Sequence, residues 1–133
     1  MQKNLLLVLS LCCFSATGCG PQSNLANITG TVTIDGKPPK EGSISFMPLD
    51  GKAPTTGAVI EEGKYVSQVP IGESKVEIRV PKVVGTQKLY DTPDSPEQEV
   101  MAEVLPNKYN EESELRVTAE SGENTKNWEL STQ

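Results

Sequence analysis

The chain has 133 residues, with twelve basic and eighteen acidic side chains and no histidine. This length corresponds to one domain with one modest core. The lack of histidine excludes Ser-His-Asp and Cys-His catalytic arrangements and histidine-containing zinc sites, and the acidic balance without basic clusters argues against nucleic acid as a partner. We therefore predict no catalytic residue, no cofactor and no nucleic-acid partner.

The first eighteen residues have the layout of an export signal. Lys3 provides a positive charge, an apolar run follows over residues 5–14, and the small residues Ala16–Gly18 precede Cys19. A charge, an apolar stretch and a small-residue cleavage site in this order are typical of a secretory signal. We predict that residues 1–18 are a signal peptide and that cleavage falls just before Cys19.

A cysteine directly after small residues resembles the lipobox of bacterial lipoproteins, in which the thiol receives a diacylglyceryl group. The resemblance implies that Cys19 is the lipidated residue, that membrane lipid is a partner, and that the protein is anchored on the exported side of the cell envelope. Two alternatives stay open. Ala16 and Gly18 also permit ordinary signal cleavage at the same bond. An uncleaved anchor is the other, although about ten apolar residues are short for a bilayer that needs about 20.

Cleavage before Cys19 determines the composition of the mature chain. It leaves eleven basic and eighteen acidic residues, a net charge of −7. Cys12 and Cys13 leave with the signal, so the mature chain has one cysteine and forms no intramolecular disulfide. We predict that residues 19–27 are the lipidated cysteine and a polar tether, which reaches at most about 3.5 Å per residue. Residues 28–131 then form the domain.

Alternation of apolar and polar residues predicts β-strands along most of the domain. A period of two places one side chain in the core and the next in water. Turn dipeptides such as Asp35-Gly36 and Glu62-Gly63 separate the strands. The pattern therefore predicts an all-β fold of about seven strands, arranged as a β-sandwich. The predicted strands are residues 28–34, 43–46, 56–60, 64–69, 75–80, 115–120 and 127–131.

Residues 81–110 interrupt this alternation and predict one long loop. The segment holds four prolines and an acidic run. Ser95–Gln98 has the pattern of a helix start, with a capping serine, a proline at the first helical position and a glutamine that completes a capping box. We expect a short helix that ends before Pro106, within a partly ordered loop packed over a sheet edge. Its apolar side would consist of Val100, Met101, Val104 and Leu105.

Aromatic residues divide into two groups by their position. Phe46, Tyr65 and Trp128 lie on predicted strands and are assigned to the core. Tyr90 and Tyr109 lie in or beside the long loop and are candidate partner-binding residues, because aromatic rings stack on sugars or pack against proteins. The partner would be an envelope protein or a polysaccharide. Packing inside the domain is the alternative role for both tyrosines.

Carboxylates are the remaining candidate chemistry. The pairs Glu61-Glu62 and Glu111-Glu112, and the acidic run over residues 91–103, could supply an acid–base pair for a glycoside. Adjacent carboxylates on a strand or turn point apart, so we interpret these groups as solvated charges. Asp91, Asp94 and Glu97 have a spacing compatible with calcium, but no EF-hand pattern surrounds them. We predict no metal site.

The order of several motifs resembles a known family. Ile28–Pro48, ITGTVTIDGKPPKEGSISFMP, resembles the opening of carboxypeptidase-regulatory-like domains, and Gly63–Tyr65 and Pro70–Gly72 fit the middle of the same pattern. Leu105–Asn110, with Gly122–Asn124 further on, is similar to small envelope lipoproteins of planctomycete-type bacteria.

That resemblance implies a transthyretin-like, prealbumin-type β-sandwich in the cell envelope. Together with the missing catalytic residue types, it leads us to predict a structural or interaction role without catalysis. It transfers no catalytic or ligand residues. The alternative is a carbohydrate- or peptide-binding lipoprotein that uses the 81–110 loop.

Overall fold

Residues 24–133 are described by a computed structural model, and they form an all-β fold without an α-helix in that range. A short 3-10 helix, Asn107–Tyr109, is the only helical element there. The strands are β1 (Leu25–Ile34), β2 (Glu41–Pro48), β3 (Thr56–Glu61), β4 (Lys64–Pro70), β5 (Gly72–Arg79), β6 (Pro81–Lys88), β7 (Glu97–Glu103), β8 (Arg116–Ala119), β9 (Glu123–Thr125) and β10 (Trp128–Leu130).

Eight strands form one mostly closed sheet in the order β10-β1-β4-β3-β2-β5-β8, with β9 also paired to β1. β9 and β10 run parallel to β1, and the other pairings of this sheet are antiparallel. Between β3 and β4 the register pairs only Glu61 with Lys64, directly at the turn that joins the two strands. β6 and β7 form a separate two-stranded sheet.

One core is formed by inward side chains of the eight-stranded sheet. Phe46 on β2 and Tyr65 on β4 approach across it, with ring centroids 6.2 Å apart. Phe46, Tyr65 and Trp128 are exposed by 0%, 2% and 6%, so their predicted core positions are confirmed. The other buried apolar residues are Ala26, Ile28, Val32, Ile44, Ile60, Val69, Val76, Ile78, Val80, Leu105, Ala119 and Leu130.

Two predicted turns have the backbone geometry that their sequences favour. Asp35 and Gly36 have φ of 50° and 80°, and Glu62 and Gly63 have φ of 48° and 73°. Two successive positive φ angles make a type I′ turn, whose twist matches that of the flanking strands. A Cβ on Gly63 would lie 2.4 Å from Cβ of Pro38, so glycine also allows Pro38 to pack against this turn.

The predicted start of the domain is wrong by three residues. β1 begins at Leu25, because Leu25–Asn27 already pair with β4. Ala26 is buried and continues the alternation of the strand toward the amino terminus. The predicted tether over residues 19–27 therefore extends too far, and its last three residues belong to the sheet.

The predicted helix in the long loop is wrong. Glu97–Glu103 is strand β7 and pairs with β6 along the whole strand, with a bulge at Val84. A lone helix of fewer than about 12 residues is marginal in water, whereas strand pairing satisfies the backbone groups of both segments. Of the predicted apolar side, Val100 and Met101 are 36% and 50% exposed on the strand, whereas Leu105 is buried in the core. The expectation that this loop covers a sheet edge is also wrong, because β6 and β7 pair only with each other and every residue of both strands is exposed.

The domain has two opposite ends. At the near end, the amide of Ile71 donates to the carbonyl of Asn24, where the described chain begins. β1 runs from there for ten residues, about 30 Å at about 3.3 Å per residue. At the far end lie the Asp35-Gly36 turn and Val80, from which β6 and β7 leave the domain. The β6–β7 hairpin is therefore attached opposite to the point where the chain enters.

Candidate functional site

The β6–β7 hairpin, here called the distal hairpin (Pro81–Glu103), is the most exposed part of the described chain. Every residue of both strands is exposed, and the hairpin pairs with no other strand of residues 24–133. Apolar side chains in contact with solvent at this density are typical of interaction surfaces. The large exposed ones are Val83, Val84, Leu89, Tyr90, Val100 and Met101.

A carboxylate holds the hairpin at its base. Oε1 of Glu103 accepts hydrogen bonds from the amides of Val80 (2.9 Å) and Leu105 (3.0 Å). The amide of Val104 donates to the carbonyl of Val80 at 3.1 Å. Val80 and Leu105 are buried in the core. These bonds therefore connect the hairpin to the packed domain and restrict its direction.

The tip of the hairpin (Leu89–Glu97) has its own hydrogen bonds. The amide of Tyr90 donates to Oγ of Ser95 at 2.7 Å, and the amide of Leu89 donates to the carbonyl of Pro96 at 3.0 Å. Ser95, predicted to cap a helix, thus closes the tip of a hairpin. Tyr90 is 66% exposed at this tip and free to contact a partner.

An apolar groove of about 630 Å³ lies between the base of the hairpin and the β1–β2 connection. Three lysines, Lys37, Lys40 and Lys82, lie among its lining residues together with one carboxylate, Glu41. None of the three lysines forms a salt bridge within residues 24–133. We call this the base groove. Its apolar lining is Ile34, Pro38, Pro39, Val80, Pro81, Val83, Met101 and Val104.

The base groove and the hairpin tip carry opposite charges. The groove has Lys37 and Lys40 from the β1–β2 connection and Lys82 from β6, whereas the tip carries Asp91, Asp94 and Glu97. Lys88 is the basic residue nearest the tip and lies opposite Glu97 in the strand register. The domain therefore presents a basic apolar groove beside the start of the hairpin and an acidic apolar surface at its tip.

The two candidate tyrosines have different environments. Tyr109 lies in the 3-10 helix and packs against the core, and its hydroxyl accepts a hydrogen bond from the amide of Ser131 at 3.2 Å. Nζ of Lys108 lies 5.0 Å from the centre of the Tyr109 ring. Tyr109 therefore has the packing role that was its alternative, and Tyr90 remains the candidate for partner binding.

Asn110 closes the chain segment that follows the hairpin. Its side chain is buried, and Nδ2 donates to the carbonyls of Leu105 and Pro106, both at 3.3 Å. Oδ1 accepts from the amide of Glu111 at 2.8 Å. These bonds bind the return of the chain toward β8 to the body of the domain, so Asn110 is structural.

Other candidate chemistry is weak in the described residues. Cys19 lies outside them, so its lipidation stays a prediction. Within residues 24–133 no helix is both long and apolar enough to cross a membrane. The same residues contain no group of three or more carboxylates and cysteines placed to hold a metal ion, which leaves the calcium hypothesis for Asp91, Asp94 and Glu97 without support.

The base groove was not predicted from the sequence. The predicted turn at Asp35-Gly36 precedes its lysines Lys37 and Lys40, but their apolar partners Val83 and Met101 come from a segment that the sequence assigned to a loop.

Comparison of the chain with protein-family models, with curated proteins and with solved structures gave no match.

Proposed function

We propose that the chain is a lipid-anchored protein of the cell envelope whose domain is a non-catalytic interaction module. The observation that carries the proposal is the distal hairpin, an exposed apolar element attached at the end of the domain opposite to the entering chain. A hairpin that contributes no residue to the sheet of the domain, yet is held firmly at its base by Glu103, is suited to contact another molecule.

The proposed anchor and the two ends of the domain support one arrangement. Cys19 and Asn24 are five positions apart in the chain, a span of at most about 18 Å. A diacylated and further acylated cysteine gives stable membrane binding, because two or more chains are needed for it. The near end would then lie close to the lipid, and the hairpin would stand about 30 Å farther away, within reach of envelope partners.

A transthyretin-like β-sandwich is the finer form of the proposed fold. The all-β sheet and the single core to which its strands contribute support it. The family resemblance of Ile28–Pro48 supports the same fold. The absence of histidine from the sequence supports a role without catalysis, and so do exposed carboxylates such as Glu61 at the end of β3 and Glu62 in the turn that follows.

A carbohydrate- or peptide-binding lipoprotein that uses the same hairpin is the second candidate. The exposed ring of Tyr90 favours it, because a free aromatic face stacks on a sugar or a peptide side chain. Tyr90→Ala would then abolish retention on an envelope polysaccharide, and Tyr109→Phe would be the matched change at the tyrosine that packs on the core.

The test is capture of partners from cross-linked envelopes with the full chain. The decisive variant replaces Val84–Val100 by Asn-Gly, which leaves a two-residue turn with Val83 opposite Met101 and retains Glu103. We expect this variant to fold, to fractionate with membranes, and to lose its cross-linked partners. Cys19→Ser should keep the fold and the hairpin but no longer fractionate with membranes. Unchanged partners in the shortened variant would contradict the proposal.

A further inference from the structure

We propose that the hairpin tip of one copy binds in the base groove of a second copy, so that two chains form a symmetric pair. The inference rests on the proposed function, because it names the partner of the same hairpin. It uses two surfaces of this chain that no contact within residues 24–133 occupies: the acidic tip (Leu89–Glu97) and the basic base groove.

The charges of the two surfaces are complementary. The base groove has Lys37, Lys40 and Lys82, none of them in a salt bridge in the described chain, around an apolar floor. The tip has Asp91 and Asp94, and Glu97 follows at the start of β7. In a mature chain of net charge −7, most of the surface repels an acidic segment, and this groove is where three lysines gather. Complementary charge of this kind steers association and selects the partner.

The apolar residues of the two surfaces also match. Leu89 and Tyr90 are 50% and 66% exposed at the tip. The base groove has a volume of about 630 Å³, which is within the range of pockets that enclose a ligand of drug size, about 300–1,000 Å³. Its proline and methionine lining offers these two side chains an apolar environment that the isolated chain does not provide.

The geometry requires a second copy. The tip and the base groove lie at opposite ends of the paired strands, about 20 Å apart at about 3.3 Å per residue, so a tip cannot reach the groove of its own chain. Two hairpins that lie antiparallel bring each tip to the groove of the other. Both contacts are then equivalent, which is the two-fold arrangement that most homodimers use.

Pairing through the free strand edges explains the observations less well. β6 and β7 each have one edge without a partner strand among the described residues. In the register centred on Val100, two antiparallel copies of β7 place Glu97 opposite Glu103, and in the register centred on Gly85 two copies of β6 place Lys82 opposite Lys88. Like charges directly opposite one another destabilise a strand pair. The contact of tip with groove avoids both repulsions.

Charge reversal in the full chain tests the inference. Each protein is purified in detergent, and its association is measured by analytical ultracentrifugation. We expect the wild type to dimerise reversibly, and more weakly at high salt because the charges are screened. Reversing the groove (Lys37→Glu with Lys82→Glu) should raise the dissociation constant about tenfold or more, and so should reversing the tip (Asp91→Lys with Asp94→Lys).

Mixing the two reversed proteins is the decisive step, because each tip then meets a groove of opposite charge in both contacts. The mixture should dimerise with an affinity close to that of the wild type, and so should a single chain that carries all four changes. Lys52→Glu, at an exposed lysine outside the groove, is the control and should leave the dissociation constant unchanged. Thermal melting of each protein checks that it is folded.

A wild type that stays monomeric, or reversed proteins that do not recover affinity when mixed, would overturn the inference. If the wild type is monomeric but the shortened hairpin still loses its envelope partners, the proposed function stands and the partner is a different protein. If neither association nor partner capture depends on the hairpin, both proposals fail.

Discussion

Nε1 of Trp128 donates a hydrogen bond to the hydroxyl of Tyr65 at 3.2 Å. The two residues lie on β10 and β4, the two neighbours of β1, so the bond crosses β1. The Tyr65 hydroxyl donates in turn to the carbonyl of Lys126 at 2.6 Å. The crossing passes over Gly30, where a Cβ would lie 1.8 Å from the Lys126 carbonyl oxygen. Glycine at this position of β1 therefore leaves room for the Lys126 carbonyl and the Tyr65 hydroxyl to meet beside the strand.

Replacing Trp128 by alanine should lower the free energy of unfolding by about 3–5 kcal/mol, the usual cost of removing a large buried aromatic. Trp128→Phe keeps a ring in the core but loses the hydrogen bond to Tyr65 and part of the buried indole volume, so it should cost less. Chemical denaturation followed by circular dichroism measures both variants. A loss below about 1 kcal/mol in Trp128→Ala would contradict a core role.

Gly30→Ala should destabilise the domain by about 1–3 kcal/mol or more, because the new methyl group overlaps a backbone carbonyl that cannot move without breaking the bond from Tyr65. Gly85→Ala is the matched control, since a Cβ there meets nothing within 4 Å and the residue lies in the exposed hairpin. If the two variants melt at the same temperature, the contact between position 30 and the Lys126 carbonyl does not require glycine.

Burial raises the pKa of Tyr65 from 10.0 to about 12, an effect that the hydrogen bond from Trp128 partly opposes. Because the folded-state pKa lies above the unfolded value, the stabilisation is fully present below pH 10 and is lost as pH rises toward 12. We expect alkaline destabilisation in this window and a smaller pH dependence in Tyr65→Phe. Denaturation midpoints measured between pH 8 and pH 12 test this, and parallel curves for both proteins would contradict it.

Glu103→Ala should free the amides of Val80 and Leu105 at the base of the hairpin, at a cost of about 1–3 kcal/mol for buried donors without a partner. Glu103→Gln keeps an acceptor oxygen and should be milder. Glu99→Ala, at an exposed residue of the same strand, is the control. Hydrogen exchange should accelerate at Val80, Val104 and Leu105 in Glu103→Ala alone. If these three amides of Glu103→Ala are protected as well as those of the wild type, Glu103 does not hold the base of the hairpin.

The anchor prediction concerns Cys19. We expect the mature chain to begin at Cys19, to carry a diacylglyceryl group, and to fractionate with membranes. Intact-mass spectrometry of the purified protein decides it. A mature chain that begins at an unmodified cysteine would refute the prediction, and such a cysteine should then form dimers on a non-reducing gel.

The amino-acid sequence by itself determined the all-β class, the seven predicted strands and the inward direction of Phe46, Tyr65 and Trp128. These features follow from local rules: a period of two selects the inner face of a strand, and Asp35-Gly36 or Glu62-Gly63 tolerates the positive φ of a tight turn. Alternation in the first strand also continued to Leu25, beyond the predicted start, where Ala26 was not recognised as an inward residue.

Only the tertiary structure decided the form and the surroundings of the distal hairpin. Ser95–Gln98 carries a genuine local signal for a helix, but β7 is determined by pairing with β6, whose residues precede it by up to 22 positions. The base groove joins Pro38 and Pro39 to Val83 and Met101 in the same way. Pairing and packing over such separations depend on how the whole chain folds, and a pattern of neighbouring residues does not contain that information.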